Sequence, residues 1–308
     1  MDFIIAGLAA VGAGIFSNPL EVIKIRMQLQ GELQARGEHP VHYRNVFHAT
    51  YTIAKHDGLQ ALQAGLVPAL WFQFILNTCR LGGYDYVIKK GYTKNEKGET
   101  IFYKSVLAGG LAGNVGAFVA SPFFLVKTHL QGQAAEQIAF GYQHHHAGMW
   151  SAFKKIFTEH GIQGLYRGST SAIPRSFLGS TAQLTTFTYS KEISQKYKLL
   201  TNYPLLETFM ASMISGLFLS VMITPFDLVC IRLYNQGVDS KGKGLLYNNF
   251  LDCFLKVSKS EGFWGFYKGI GPCYLRLGPH TVLSLVFWDI LKDVHKNIDQ
   301  KISLVHTN

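Results

Sequence analysis

The chain has 308 residues, of which 48% are hydrophobic and only 16% are charged, and its formal net charge is +10. Its basic residues are spread along the whole chain without a contiguous Lys/Arg block, which argues against a nucleic-acid partner and for attraction to anionic lipids or solutes. The 4 cysteines lack the paired spacing of a metal site, so free thiols are expected.

Long apolar segments account for this composition. At a rise of about 1.5 Å per helical residue, each can cross all or most of a hydrocarbon layer of about 30 Å. A soluble helix of this length would need a charged outer face to remain in water, and these segments lack one. In chain order, the predicted membrane helices are Phe3–Leu20, Leu59–Cys79, Ser105–Val126, Gly168–Leu199, Thr208–Phe226 and Gly269–Lys292.

Four of these segments contain no Asp, Glu, Lys or Arg, whereas the fourth and sixth are interrupted by Arg175 and Arg276. Ionisable groups at membrane depth are costly, so they usually face a bundle interior or a wet cavity and mark function. The predicted fold class is therefore an all-α membrane protein with six transmembrane helices. Glycines between 109 and 116 predict close packing of the third membrane helix against its neighbours.

Landmarks that recur three times in the same order divide the chain into similar units. A proline motif begins at Pro19, Pro122 and Pro225, with a spacing of 103 residues each time. Such a period, with helices of membrane length, argues against a soluble solenoid, whose repeats are usually about 20–50 residues long. The predicted repeats are 1–91, 100–194 and 203–295.

A second landmark follows each proline motif, where Asp57, His160 and Glu261 each directly precede a glycine. Just before it, each repeat has apolar residues at helical spacing over a segment too short to span a membrane. Three short amphipathic surface helices are therefore predicted, at Asn45–His56, Gly148–Glu159 and Asn248–Ser260.

The triplicated motifs, Pro-x-acidic-x-x-basic and then acidic-Gly-x4-aromatic-basic-Gly, resemble those of the mitochondrial carrier family over essentially the whole chain. Within that family, the segment from Pro122 to His129, Cys230 and the segment from Arg276 to His280 resemble the oxaloacetate carrier subgroup. The resemblance implies a monomeric inner-membrane transporter. It also implies a threefold pseudosymmetric barrel whose central cavity opens alternately to either side. The sequence shows no nucleophile–base arrangement and no glycine-rich phosphate loop, so enzyme activity is not expected.

The proline motifs place charged residues at equivalent positions of the three repeats. In the family arrangement each acidic position faces the basic position of the next repeat, which completes two ion pairs and leaves a third position with neither charge. Both charges of a pair are expected to be lost together, because a single unpaired ion near a gate of low dielectric constant would be costly. The implied pairs are Glu21–Lys127, Asp227–Lys24 and Phe124–Cys230, which we call the first ring and which the resemblance assigns to the matrix gate.

A second ring is expected near the ends of the even-numbered membrane helices. Because odd and even helices run in opposite directions, this ring lies at the opposite membrane face, where the resemblance implies a cytoplasmic-side gate. Lys89 could partly replace Ile88 as a basic member. The implied pairs are Lys191–Asp289 and Lys292–Asp85, with Ile88 opposite Thr188.

Arg175 and Arg276 are predicted to lie between the two rings, near the middle of the membrane. Arg80 follows Phe72, their equivalent in the first repeat, by two helical turns on the same face. Guanidinium groups bind carboxylates in a bidentate manner, so three of them predict a small dianion such as oxaloacetate, malate, malonate or sulfate. Further residues expected at this site are Gln73, Ser176, Gln183, His280 and Ser284.

Two other functions stay open from the sequence. A nucleotide or phosphate carrier of the same family is one, although no adenine-binding aromatic–glycine arrangement stands beside Arg175. A non-transporting membrane scaffold or receptor is the other, although such a protein would have no need of two rings of reciprocally matched charges.

Two features concern bound lipid and metal. The turns around Arg167-Gly168 and Lys268-Gly269 resemble the family's cardiolipin-binding turns, in which helix N-termini receive a phosphate. The resemblance therefore implies bound cardiolipin and no other cofactor. The run of histidines at 144–146 lies in a predicted loop without fixed geometry, so no metal site is expected there.

Overall fold

The computed structural model describes residues 2–34, 43–93, 101–196, 204–239 and 242–277, together with parts of 280–292. Regular structure in these ranges is helical, apart from one isolated bridge between Val238 and Gly244. A last helical stretch covers 270–277. The α-helices are α1 (Asp2–Leu29), α2 (Val46–His56), α3 (Leu66–Lys89), α4 (Phe102–Val119), α5 (Ser121–Gly132), α6 (Met149–Leu165), α7 (Ser169–Lys196), α8 (Pro204–Asn235) and α9 (Phe250–Glu261).

The proline motifs do not end their helices, which corrects the sequence prediction. Pro19 and Pro225 lie inside α1 and α8, which continue for another two to three turns. Pro122 follows a 65° bend between α4 and α5. Proline removes one hydrogen bond and bends a helix, but the bonds beyond it can still form. The first ring therefore lies inside the bundle, away from its end.

The three short helices α2, α6 and α9 form where amphipathic surface helices are predicted. The side chain of Asn45 accepts a hydrogen bond from the backbone N–H of His48 at the start of α2, and Asn249 accepts one from Asp252 at the start of α9. These N-caps satisfy backbone donors that the first helical turn leaves unpaired. The helix α6 runs farther than predicted, to Leu165, across a kink at Gly161.

The long helices pack side by side as α1, α3, α4, α7 and α8. The described parts of 280–292 close this arrangement on α1, where the rings of Phe16 and Phe287 stack at 6.3 Å and Ser17 Oγ lies 3.0 Å from His280 Nδ1. Close packing depends on small residues as predicted, since a Cβ atom on Gly116 would lie only 2.9 Å from the carbonyl oxygen of Leu76. The helices α1, α5 and α8 also contact one another, and this contact gathers the first ring.

The outer surface is suited to a membrane. Large apolar side chains such as Phe16, Leu111 and Phe218 are exposed there, as lipid-facing residues are. Among the described residues, three helices and one bent pair are long and apolar enough to span, and each overlaps one of the four charge-free predicted segments. These spans are Gly7–Leu29, Leu59–Lys89, Met213–Asn235 and the pair Tyr103–Val119 with Ser121–Gly132.

Candidate functional site

The two charged pairs of the first ring form as predicted. Lys127 Nζ lies 2.7 Å from Glu21 Oε1, and Lys24 Nζ lies 2.5 Å from Asp227 Oδ2. All four side chains are buried. Each pair joins two repeats, so the convergence of α1, α5 and α8 is held by charge as well as by apolar contact.

Arg175 and Arg276, which were predicted to lie between the two rings, each contact a carboxylate of the first ring. Arg175 Nε lies 2.5 Å from Asp227 Oδ1, and Arg276 Nη1 lies 3.7 Å from Glu21 Oε1. The ring carboxylates are within reach because α1 and α8 continue beyond their prolines, so that the ring lies deeper than the helix ends. Each ring carboxylate therefore has one lysine and one arginine beside it.

This cluster carries a surplus of positive charge. Its two carboxylates face four cations, and the arginines are themselves nearly buried, at 13% and 11% side-chain exposure. The Nε atom of Arg276 is buried and has no hydrogen-bond partner in the part of the chain that the structure describes. A buried charge surplus and an unused donor are both costly in a low dielectric, and an added anion would relieve both.

At the third position of the first ring, aromatic side chains take the place of charged ones. Phe124 packs on Phe72, with their ring centroids 5.0 Å apart. Lys127 Nζ and Arg175 Cζ each lie 5.1 Å from the centroid of Phe124. These distances are typical of cation–π attraction, which strengthens when the cation is desolvated. This contact was not predicted from the sequence, where Phe124 was taken only as the loss of a charge. The signal for it is that Phe72 stands at the arginine position and Phe124 at the acidic position of their repeats.

Cys230, the other uncharged member of the first ring, is fully buried in the same apolar cluster as Phe124. Its Sγ atom accepts a hydrogen bond from Ser171 Oγ at 3.4 Å. The thiol therefore fills the place of a basic side chain with a small group that needs no ionic partner.

Replacing Phe124 with leucine is expected to lower the free energy of unfolding by about 2–3 kcal/mol, because two buried cations lose the face of the ring. Phe123→Leu is the matched control, since Phe123 packs against Trp71 and Phe153 and no cation is found over its ring among the described residues. Thermal unfolding in detergent measures both variants. Equal losses would show that the cations gain nothing from Phe124.

The remaining residues of the predicted substrate site are dispersed. Arg80 Nη2 donates to Asn77 Oδ1 at 2.9 Å and does not reach the first ring. Its Cδ atom lies beside Gly113 of α4, where the hydroxyls of Ser176 and Ser180 also approach. Asn77 also donates to the backbone and side-chain oxygens of Gln73, and the side chain of Gln183 lies outside the described residues. His280 contacts α1 through Ser17 Oγ.

One predicted pair of the second ring, Lys292–Asp85, is not formed. Asp85 forms an exposed ion pair with Lys89 of the same helix at 2.6 Å, while Lys292 Nζ lies 5.0 Å above the ring of Trp288. The predicted Lys292–Asp85 pair is thus absent between these two described residues; Asp289 and the side chain of Lys191 lie outside the described set. In this conformation ion pairs close the first ring, and the second ring is open at Asp85.

The predicted lipid-binding turns differ from each other. Arg167 and Gly168 line a cavity of about 280 Å³ together with Asn249 and Phe250 at the start of α9. Burial lowers the pKa of Arg167 to about 10, which leaves the guanidinium charged at neutral pH. In the other turn, which ends at Gly269, Lys268 pairs with Glu261 at 2.6 Å, so that side chain is engaged by the protein.

Two arginine–carboxylate pairs that the sequence did not predict link neighbouring repeats. Arg26 pairs with Asp57 and donates to the carbonyl of Gln131 at 3.3 Å. Arg232 pairs with Glu261 and donates to the carbonyl of Gln28 at 3.1 Å. Burial alone would raise the pKa of the Glu261 carboxyl, but hydrogen bonds from Arg232 and Lys268 hold it below its ordinary value. The recurrence of arginine two residues after the ring position was the signal for these pairs.

Comparison with known proteins accounts for this architecture. The sequence matches the family described as mitochondrial carrier protein over residues 1–95, 98–198 and 201–298. It is 50% identical to solute carrier family 25 member 35 of Mus musculus, over 96% of this chain and 98% of that relative. It is 38% identical to the mitochondrial oxaloacetate transport protein of Schizosaccharomyces pombe, over 92% of this chain and 88% of that relative. The corresponding protein of Saccharomyces cerevisiae is 36% identical, over 98% and 91%.

Proposed function

The chain belongs to the mitochondrial carrier family and is thus a transporter of small metabolites in a mitochondrial membrane, not an enzyme; we propose that it carries small dicarboxylates such as oxaloacetate across the inner membrane. The observation that carries this proposal is the buried cluster around Glu21 and Asp227, in which four cations face two carboxylates. A dianion would neutralise that surplus. The names of the two fungal relatives support oxaloacetate as the first compound to test.

The same contacts suggest how binding opens the first ring. Arg175 and Arg276 each touch a ring carboxylate, so a substrate carboxylate that binds them competes with Asp227 and Glu21. Binding energy then offsets part of the cost of separating the ring, which is the differential interaction that a conformational change requires. Closure of the second ring behind the substrate would complete alternating access. Because one chain supplies every ring residue, we propose that a monomer suffices.

Uptake into liposomes tests the function. Purified protein is reconstituted, the vesicles are loaded with unlabelled dicarboxylate, and uptake of labelled oxaloacetate, malonate, sulfate, phosphate and ATP is compared. We expect saturable dicarboxylate uptake that is much faster in loaded than in empty vesicles, since we propose exchange. Faster uptake of phosphate or ATP would favour the nucleotide or phosphate carrier. No uptake of any solute by folded protein would favour the scaffold.

We also propose that a cardiolipin phosphate binds in the cavity beside Arg167, where Gly168 and the N-terminus of α9 present backbone donors. Cardiolipin is expected to raise the melting temperature of the wild-type protein, and Arg167→Gln should remove much of that rise because the phosphate loses its cation. Lys104→Gln, a substitution at an outlying lysine that does not line this cavity, is the control. An equal rise in wild type and Arg167→Gln would place the lipid elsewhere.

A further inference from the structure

Three histidines gather at the end of α5 in the second repeat. His129 belongs to α5, whereas His144 and His146 lie in the loop that precedes α6. One ring nitrogen of each lies within 4.8 Å of the others, and His129 and His146 are buried. The expectation that this histidine run lacks fixed geometry is therefore wrong, because α5 and the end of α8 hold it in place.

Backbone carbonyls at the end of α8 fix the orientation of two of the rings. His129 Nε2 lies 2.9 Å from the carbonyl oxygen of Tyr234, and His144 Nε2 lies 2.9 Å from that of Asn235. A carbonyl only accepts, so each Nε2 carries the proton and each neutral ring keeps a lone pair on Nδ1. Histidines that bind metals are commonly oriented by this N–H to carbonyl contact.

The spacing of two facing nitrogens suits a tetrahedral ion. His146 Nε2 lies 3.3 Å from His129 Nδ1 and donates a hydrogen bond to it, since the proton of His129 is on Nε2. Two nitrogens bound to one zinc ion at about 2.0–2.1 Å would be about 3.3–3.4 Å apart in tetrahedral geometry. The second nitrogen of His146, Nδ1, is buried and has no hydrogen-bond partner in the described ranges of the chain. If the His146 proton moves to Nδ1, the two facing nitrogens of His129 and His146 both present lone pairs to one cation.

The other two repeats show what this site replaces. In the first and third repeats, the equivalent positions hold the pairs Arg26–Asp57 and Arg232–Glu261. In the second repeat they hold His129 and His160. Each of the three basic residues donates to a backbone carbonyl of the next repeat. The second repeat has therefore kept the link between repeats but exchanged an ion pair for two imidazoles.

These imidazoles share one cavity with further donors. A cavity of about 420 Å³ is lined by His129, His144, His146 and His160, and the carboxylate residues Glu159 and Asp239 also line it. Nitrogen donors of this kind suit zinc, copper and nickel, whereas calcium and magnesium require oxygen ligands.

We propose that this cavity binds a divalent transition ion of the zinc class through His129, His144 and His146, with a water molecule or Glu159 completing a four-coordinate shell. The rings must reorient, because the three imidazoles lie within 14° of parallel and the centroids of His144 and His129 are 3.4 Å apart. Parallel lone pairs cannot meet at one ion, so His144 must tilt off its neighbour. Its position in the loop between α5 and α6 permits this. The bound ion would then tie that loop to α5, two residues beyond Lys127 of the first ring.

Zinc titration of the purified, tag-free full-length protein tests the site. A chromophoric chelator competes for Zn²⁺ in detergent solution, and one ion per chain is expected to resist the chelator. His144→Asn should weaken that binding by at least about tenfold, in the range seen when a metal site loses a supporting group. The matched control is His145→Asn, because His145 lies between the two ligands in sequence yet is exposed.

A second measurement separates loss of the site from loss of the fold. Zn²⁺ should raise the melting temperature of the wild-type protein and of His145→Asn, and should leave that of His144→Asn and His146→Asn unchanged. The metal-free melting temperature of each variant shows whether it folds. Equal zinc affinity in wild type and both ligand variants, or equal weakening by His145→Asn, would overturn the proposal.

Discussion

Replacing Arg276 with alanine is expected to lower dicarboxylate uptake by about 100-fold while the protein still folds. The Nε donor of Arg276 is unused within the described part of the chain, and its Nη1 lies at 3.7 Å from Glu21, so the guanidinium can turn to a substrate carboxylate. Two charge-assisted hydrogen bonds of about 1.5 kcal/mol each correspond to that loss. Folding survives because Glu21 keeps its pair with Lys127. Initial rates of labelled oxaloacetate uptake into liposomes are the measurement.

Two controls make this prediction specific. Arg276→Lys should retain part of the rate, since a lysine keeps the charge but not the bidentate geometry. Arg80→Ala should have a milder effect, because Arg80 bonds to Asn77 away from the first ring. Wild-type uptake by Arg276→Ala would contradict the assignment of the buried cluster as the substrate site. Thermal unfolding in detergent shows that any loss of uptake is not a loss of fold.

Replacing Asp227 with asparagine is expected to lower the free energy of unfolding by about 3–5 kcal/mol, because it leaves two buried cations without their carboxylate. Lys24 and Arg175 both lie 2.5 Å from that carboxylate. Lys24→Gln should cost clearly less, since Asp227 then keeps Arg175. Thermal unfolding of the two variants in the same detergent measures the difference, and both should transport more slowly than wild type.

Asp227→Asn and Lys24→Gln should differ in stability because Asp227 contacts two cations, Lys24 and Arg175, rather than one. Exchanging the two charges, by Lys24→Asp with Asp227→Lys, should restore only part of the transport, because Arg175 would then face a lysine. Equal destabilisation by Asp227→Asn and Lys24→Gln would show that Arg175 does not share the carboxylate. An exchange variant that transports no better than the worse single variant would contradict the pairing across repeats.

The sequence predicted much of the fold and part of the site. The four charge-free membrane segments and the three short helices could be predicted because they depend on composition and helical spacing over neighbouring residues. The pairs Glu21–Lys127 and Lys24–Asp227 could be predicted because a threefold repeat relates positions about 100 residues apart. The position of the first ring inside the bundle could not, because the effect of a proline depends on whether packing sustains the helix beyond it.

The sequence by itself determined an all-α membrane protein of three repeats, since charge-free length and triplicated motifs need no knowledge of packing. Only the tertiary structure decided that Arg175 and Arg276 contact the ring carboxylates, that Asp85 pairs with Lys89, and that His129 meets the histidines of the following loop. The physical reason is the same in each case. Long side chains reach several partners, and the partner chosen depends on helix bends and on the approach of neighbouring helices, neither of which is encoded in the spacing of residues along one helix.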